Sequence, residues 1–358
     1  MTDGGSALPY GPAVLRARIR TQPEDFRVDE LPSFDSSGAG EHVLLTIEKR
    51  CMNTAFVARR IAEWARVPEL AVSYAGMKDR HAITTQRFSV QLPGREAPDV
   101  ATLQFDDPAS GQRLRVIDAS RHARKLQRGA LRGNRFELHL RDVEGDRDAI
   151  AQRLQQVRDA GFPNAFGAQR FGHAGGNLDA ARRMFQGMRV RREQRGLLLS
   201  AARSELFNRV LDARIRAGTW NTGLPGEVWM LDGTHSVFGP EPELAALRPR
   251  IDALDIHPTG PLWGRGSLRT EAACRVVEEA ALAETADLRS GLEAAGLNQE
   301  RRSLRVPARS LQWEWAAGGA LVLAFELPAG SYATSLLATL GPCEDAAAAT
   351  GVEAPLPA

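Results

Sequence analysis

The chain has 358 residues, 43% hydrophobic and 25% charged, with a formal net charge of +2. This predicts a soluble, globular protein of one very large domain or two, and excludes a disordered or fibrous chain. No apolar run is long enough to cross a bilayer, the start MTDGGSALPYGPAV lacks the form of a secretory signal, and Cys51, Cys274 and Cys343 are far apart with no C-x-x-C pair; membrane spans, disulfide frameworks and structural zinc are not expected, and the cytoplasm is the expected location.

In chain order, residues 1–13 are rich in Gly and Pro and are expected to be loose. Residues 16–30 read as an arm entering a strand, where Phe26, Val28 and Glu30 alternate with Arg27, Asp29 and Leu31. The loop SFDSSGAGE separates this from a second strand, 42–50. Asn53 or Thr54 caps a helix carrying Val57, Ile61 and Trp64 on one face, and Pro68 follows its end. The β-prone runs 70–74 and 86–92 bracket a turn region in YAGMKDRHAITTQRF that holds Asp79 between Lys78 and Arg80. A polar connection leads to about residue 113, then to 114–117, a basic block RHARKLQRGALRGNR, and a strand from Phe136. A helix over 147–160 places Ile150, Leu154 and Val157 on one face and ends at Gly161. Strands and helices mix without βαβ alternation, which predicts α+β or mixed α/β and not a doubly wound nucleotide fold.

The texture changes at residue 162. FPNAFGAQRFGHAGGN reads as a Gly-rich loop; helices follow near 178–186 and 200–217, then a hairpin around Asp232 and Gly233. HPTGPLWGRGS reads as another loop before a helix over 270–283. Residues 160–306 therefore read as a separate unit. Strand character returns in 311–315 and 320–327 around a turn at 316–319, and SYATSLLATL is expected to be partly helical. The Ala/Pro/Gly-rich chain after Gly341 is expected to be disordered.

No Walker loop, G-x-G-x-x-G, H-E-x-x-H or G-x-S-x-G occurs, and the seven histidines lack ligand spacing. These absences weigh against an NTPase, a dehydrogenase and a zinc hydrolase. What remains is Asp79 in a cationic setting with Lys78, Arg80 and Arg87. An ionised Asp can act as nucleophile or base, whereas ordinary glycoside hydrolysis uses two carboxylates; spacing alone leaves this open, and the stretch reads equally as a charged surface turn. Apart from Lys49, Lys78 and Lys125, every cationic side chain other than histidine is arginine. Codon bias accounts for that as well as phosphate binding does. Phe26, Phe136, Phe166, Phe171 and Tyr332 lie beside basic residues. Each singly reads as core, but together such pairs also suit unpaired RNA.

PEDFRVDE, GEHVLLTIEKR, NTAFVARRIAEWARV, AGMKDRHAITTQ, GALRGNRFEL, PNAFGAQRFG and LPAGSYATS occur in this order. Together they resemble the bacterial tRNA pseudouridine synthase D (TruD) family along nearly the whole globular length. The resemblance implies isomerisation of uridine 13 of tRNA, in the D-arm region, to pseudouridine, with no cofactor or metal and no obligate protein partner. It implies an α+β pseudouridine-synthase fold, with a mixed, mostly antiparallel sheet and flanking helices. That fold spans 14–159 and 307–345 around an inserted α/β domain, 160–306, with 346–358 a disordered tail. The catalytic Asp of G-x-K-D falls on Asp79. Phe26, Asn134, Phe136 and Tyr332 fall on positions inferred to hold the flipped uridine, with Phe136 stacking on it. Arg20 falls on the basic residue expected to pair with the Asp, and Gln86 closes the motif, where it is expected to orient the loop and adjoin substrate. Lys78, Arg121, Arg124, Lys125 and Arg128 are candidate contacts to RNA phosphate. Two departures stand out: Tyr332 where Phe also occurs, and Ala165 where an aromatic is common. A non-catalytic tRNA-binding or RNA-chaperone protein that keeps the fold is the alternative.

Overall fold

The computed structural model describes residues 8–172, 175–241 and 243–349. The chain opens with β1 (Arg16–Ile19), β2 (Phe26–Pro32), β3 (His42–Arg50), α1 (Thr54–Ala65), β4 (Val72–Tyr74) and β5 (Ile83–Gln91). β6 (Phe105–Asp107), β7 (Gln112–His122), β8 (Leu131–Glu144) and α2 (Arg147–Ala160) follow. The middle block holds β9 (Phe162–Pro163), α3 (Gly176–Phe185), α4 (Arg192–Arg216), β10 (Trp229–Leu231), β11 (Val237–Phe238) and α5 (Leu244–Asp252). It continues through β12 (Ile256–Leu262), α6 (Ala272–Ala281), α7 (Ala286–Ala294), β13 (Glu300–Ser303) and β14 (Arg305–Val306). β15 (Arg309–Trp315), β16 (Leu321–Pro328), α8 (Ala333–Leu340), β17 (Cys343–Asp345) and α9 (Ala346–Ala349) end it.

An eleven-stranded sheet runs β15-β16-β8-β2-β5-β3-β7-β6, with β1 beside β8 and β17, and β4 beside β5. Only β2–β5 and β1–β17 are parallel among its pairs, so the architecture is α+β with a mixed, mostly antiparallel sheet. A four-stranded sheet, β11-β10-β12-β13, lies wholly within the middle block. β9 and β14, the entry to and exit from that block, pair with each other and close its neck.

Side-chain parity explains the functional face. In β3 the residues Val43, Leu45 and Ile47 alternate inward, and α1 packs Val57 and Ile61 against them. Lys49 has the same parity. It pairs with Thr84 of β5, which pairs with Val28 of β2, then Phe136 of β8 and Phe325 of β16. The next row carries Ile47 and Gln86, then Glu30, Asn134 and Leu327. Further along β8 and β16 the same apolar core takes in α2 and α8, through Leu154, Val157, Leu336 and Leu340. Polar residues thus fill a stretch of sheet between two helix-covered ends. Close backbone approach makes this possible: a Cβ on Gly133 would stand 2.2 Å from the Leu327 carbonyl oxygen.

The arm between β1 and β2 leaves the sheet at Arg20, whose φ of 55° is left-handed. A 3-10 turn, Pro23–Asp25, returns it. Buried Asp25 holds the turn by accepting from the Gln22 N–H at 3.0 Å, and Arg141 of β8 clamps its carboxylate at 2.6–2.9 Å.

Several sequence expectations need correcting. Residues 8–13 are not loose: Arg153 donates to the Tyr10 and Pro12 carbonyls, and the Tyr10 hydroxyl donates to the Gly161 carbonyl at 2.5 Å. Segment 257–267 is not all loop, because 256–262 forms the central, buried strand β12 despite two prolines. Side chains serve its backbone: Glu227 accepts from the Thr259 N–H, and Arg301 donates to the Thr259 carbonyl. Leu70 lies in a 3-10 turn and is exposed, and β4 begins only at Val72. Past Gly341 the chain forms β17, which covers the edge of β1, and then α9; residues 350–358 lie outside the described residues, as do 1–7.

Burial pushes the Lys49 ammonium down to about 7. An unfolded lysine titrates near ~10.4, so between these values the unfolded chain binds the extra proton and stability rises with pH. Below about 7 the penalty of the buried charge is fully present. From about pH 7 to about pH 9 the wild type should gain stability relative to Lys49→Met in urea unfolding. A constant difference between the two would show that burial does not shift this amine.

Candidate active site

Asp79 lies in the irregular segment 75–82 between β4 and β5. An irregular segment has no ladder to satisfy its backbone, so other groups must do so. Lys49 supplies one such bond: its Nζ donates to the Asp79 carbonyl at 2.9 Å, and it also donates to the Met52 carbonyl, between β3 and α1, at 2.5 Å. Gln86 donates to the Gly76 carbonyl at 3.1 Å. The Thr54 hydroxyl donates to Gln86 Oε1 at 3.0 Å and accepts from the Lys78 N–H at 2.9 Å. The Gly129 N–H donates to the Ala75 carbonyl at 2.8 Å, which ties the basic loop after β7 to the same segment.

With its backbone held from below, the Asp79 side chain stays 40% exposed. Its countercharge is Arg20, which is 9% exposed and reaches Asp79 Oδ1 through Nη2 at 3.4 Å. Arg20 also donates to Asp345 of β17 at 2.8 Å, so one guanidinium joins the N-terminal arm, the Asp79 segment and the last strand. That guanidinium lies 4.2 Å over the ring of Phe26. Phe26 meets Phe136 edge-on at 6.4 Å, and Phe136 stacks on Phe325 at 5.3 Å. Phe136 is only 6% exposed, so its ring is first a core element. Two positions along β8, Asn134 stands beside Glu30, and its buried Oδ1 has no hydrogen-bond partner. An unpaired buried acceptor costs about 1–3 kcal/mol, which a ligand N–H would recover.

Arg20, Phe26, Asp79 and Phe136 thus form a chain of contacts, with Asn134 on the adjoining row. Tyr332 caps α8 at the seam with the middle block, where its hydroxyl accepts from Arg170 at 2.7 Å and its ring meets Phe166. Gln86 is buried, its amide nitrogen is spent on the Gly76 carbonyl of the Asp79 segment and its amide oxygen on the Thr54 hydroxyl of α1, so it supports the loop rather than facing a substrate. Lys78 does not stand free for phosphate: its ammonium is buried at 3.4 Å from Glu30, itself 2% exposed. Burial raises the Glu30 carboxyl above the usual range, against the opposing pull of Lys78. Arg121 is spent on the Leu92 and Arg95 carbonyls. Arg124, Lys125 and Arg128 are exposed, with Lys125 near the Leu70 carbonyl and Arg128 over the ring of Tyr74.

Lys49, Thr54 and Glu30 escape the sequence reading. For Lys49 and Glu30 a signal existed: each is a charge on the inward parity of an otherwise apolar alternation. Thr54 showed only as a rival helix cap to Asn53. Among the described residues, no group of three or more His, Cys, Asp or Glu side chains is placed to hold a metal ion, and no helix is long and apolar enough to cross a membrane.

A cleft of about 660 Å³ opens between the two sheets. Gly129, Leu131, Arg132, Leu327 and Pro328 line one wall, and Asn164, Arg301 and Arg302 line the other. A family model described as tRNA pseudouridine synthase D (TruD) matches residues 13–187 and 184–340. A tRNA pseudouridine synthase D from Xanthomonas axonopodis pv. citri (strain 306) is 54% identical over 95% of this chain and 96% of its own length. One from Nitrosococcus oceani is 50% identical over 93% of each chain. A crystal structure from Methanosarcina mazei that carries the same family name aligns with a TM-score of 0.69 over 93% of this chain and 95% of its own; at 19% identity it speaks for the fold alone. With a family model spanning nearly all of the described residues, and relatives about half identical across most of the chain, this chain belongs to the tRNA pseudouridine synthase D (TruD) family.

Proposed function

We propose that this chain isomerises uridine 13 of tRNA, in the D-arm region, to pseudouridine in the cytoplasm, with Asp79 as the reacting carboxylate. One observation carries the reading: a solvent-reachable Asp79 whose countercharge, Arg20, is buried behind it on the Phe26 ring. The reaction breaks the bond from uracil N1 to the sugar C1′ and forms one from C5 to C1′. C5 then loses its proton and N1 gains one, so atoms balance without a co-reactant. Asp79 has two routes: addition to C1′, or removal of a proton from the sugar. Both begin from the carboxylate that Arg20 faces. The unpaired Asn134 Oδ1 is suited to accept the uracil N3–H. Residues 14–159 and 307–345 form the catalytic domain in this reading, 160–306 form the inserted domain, and the flipped base enters through the cleft between them.

Asp79→Asn keeps the shape and removes the reactive anion. It should lower conversion of uridine in a tRNA transcript by on the order of 10³-fold or more, with tRNA affinity kept within a few-fold. Full conversion by this variant would refute the assignment. If the chain were only a binder, wild type and variant would both bind tRNA and neither would make pseudouridine.

The exposed pair Arg124 and Lys125 sits on the loop tied to Ala75. Replacing both with Ala should weaken tRNA binding and make its log–log salt dependence shallower by about 1 per lost phosphate contact. Affinity equal to that of the wild type at both low and high salt would mark the loop as a solvated face.

A further inference from the structure

We propose that Arg170 and Arg302 of the middle block form a binding site for one phosphate of the substrate RNA, beside Tyr332; this rests on the tRNA reading above. Both guanidiniums gather on Phe166, their central carbons 5.5 Å and 4.2 Å from its ring centroid. Their partners are all neutral. Arg170 donates to the Ser200 hydroxyl at 3.0 Å and the Tyr332 hydroxyl at 2.7 Å. Arg302 donates to Asn164 Oδ1 at 2.5 Å and the Gly330 carbonyl at 3.0 Å. Among the described residues neither arginine makes an ion pair, and the Nε of each is buried without a partner.

Two other buried arginines of the middle block have carboxylate partners, whereas Arg305 bonds to His257 Nδ1 and to backbone carbonyls. Arg214 meets Glu227 at 2.6 Å with both side chains fully buried, and Arg301, next in sequence to Arg302, meets Glu278 at 2.6 Å. Two like charges left together around one ring, without a carboxylate, are a standing cost that an anion would relieve. Burial and the nearby Arg170 lower the Arg302 guanidinium to about 10, in keeping with that lack. Guanidinium forks match phosphate oxygens in plane and spacing, which makes a phosphodiester the fitting ligand.

Position supports the same ligand. Arg302 lines the cleft opposite Leu327 and Pro328. These two pair with Asn134 and Gly133 on β8, so the cleft wall that Arg302 faces is built on the strand pair that carries Asn134. Arg302 also grips Gly330, two residues before Tyr332, and Arg170 grips Tyr332 itself. A phosphate held there would fix the strand on the insert side while its uridine reaches the Asp79 side.

The test measures tRNA binding by the full-length protein across salt, together with steady-state kinetics. Arg302→Gln and Arg170→Gln should each make the log–log salt slope shallower by about 0.7–0.9, the value for one phosphate. The double variant should go little further, because both residues serve the same phosphate. KM should rise about tenfold or more while kcat stays within a few-fold, and Arg302→Lys should keep most of the slope. Should Arg302→Gln fail to fold, Arg170→Gln reads the same slope. An unchanged slope in a folded variant, beside a wild type that binds tRNA and converts uridine, would overturn the phosphate site and leave the isomerase reading standing. A wild type that makes no pseudouridine would overturn that reading, and the site with it.

Discussion

The Asp79 segment depends on a few buried side chains that reach its backbone from two strands and from the start of α1. A reactive carboxylate has to stand clear of regular structure, yet a segment clear of regular structure loses its backbone partners. Lys49, Gln86 and Thr54 resolve this by satisfying the Asp79 carbonyl, the Gly76 carbonyl and the Lys78 N–H. Each such bond contributes about 0.5–1.5 kcal/mol. The set together is large against thermal energy, so the segment has one preferred placement. Catalysis needs that, since a misplacement of about 1 Å can cost about 10²-fold in rate.

Charge is divided to the same end. Among the described residues, Lys78, Lys49 and Arg20 are held near Asp79 in different ways, while Arg80, next to it in sequence, is exposed. Lys78 is neutralised by Glu30 beneath the segment. Lys49 bonds to carbonyls and not to the carboxylate. Among the described residues it is Arg20 that pairs with the carboxylate, itself nearly buried, while the Asp79 side chain stays partly exposed. Its geometry follows from the break between β1 and β2: the left-handed turn at Arg20 takes the chain off the line of the sheet just before Asp25 and Arg141 bring it back.

Much of this was legible in the sequence. The strand 42–50 and the helix 147–160 follow from clean alternation and from caps, and both appear with those bounds. The mixed, mostly antiparallel sheet follows from the lack of βαβ rhythm and from the family likeness. What was lost was lost for physical reasons. β12 hides behind a loop-like composition because its backbone is served by Glu227 and Arg301, far away in sequence. The tail gains its strand only because β1 offers it an edge. Lys78 read as available because neighbours in sequence say nothing of Glu30, which lies across two strands. Lys49 could have been found, since a lysine on the parity of Val43, Leu45 and Ile47 must have a buried partner.

Interruption of the chain is what makes the cleft. β8 and β16 lie side by side although the whole middle block separates them in sequence, and the paired strands β9 and β14 pinch that block at its neck. Whatever leaves at Phe162 must therefore return at Val306 beside it. Arg302 and Arg170 then meet the 330–332 turn as that turn runs into α8, which packs into the core beneath Phe136 and Phe325. Arg20 does the equivalent at the other side by holding β17, the strand that α8 leads into. The arginine pair and the Asp79 side are thus tied to opposite ends of one short helix.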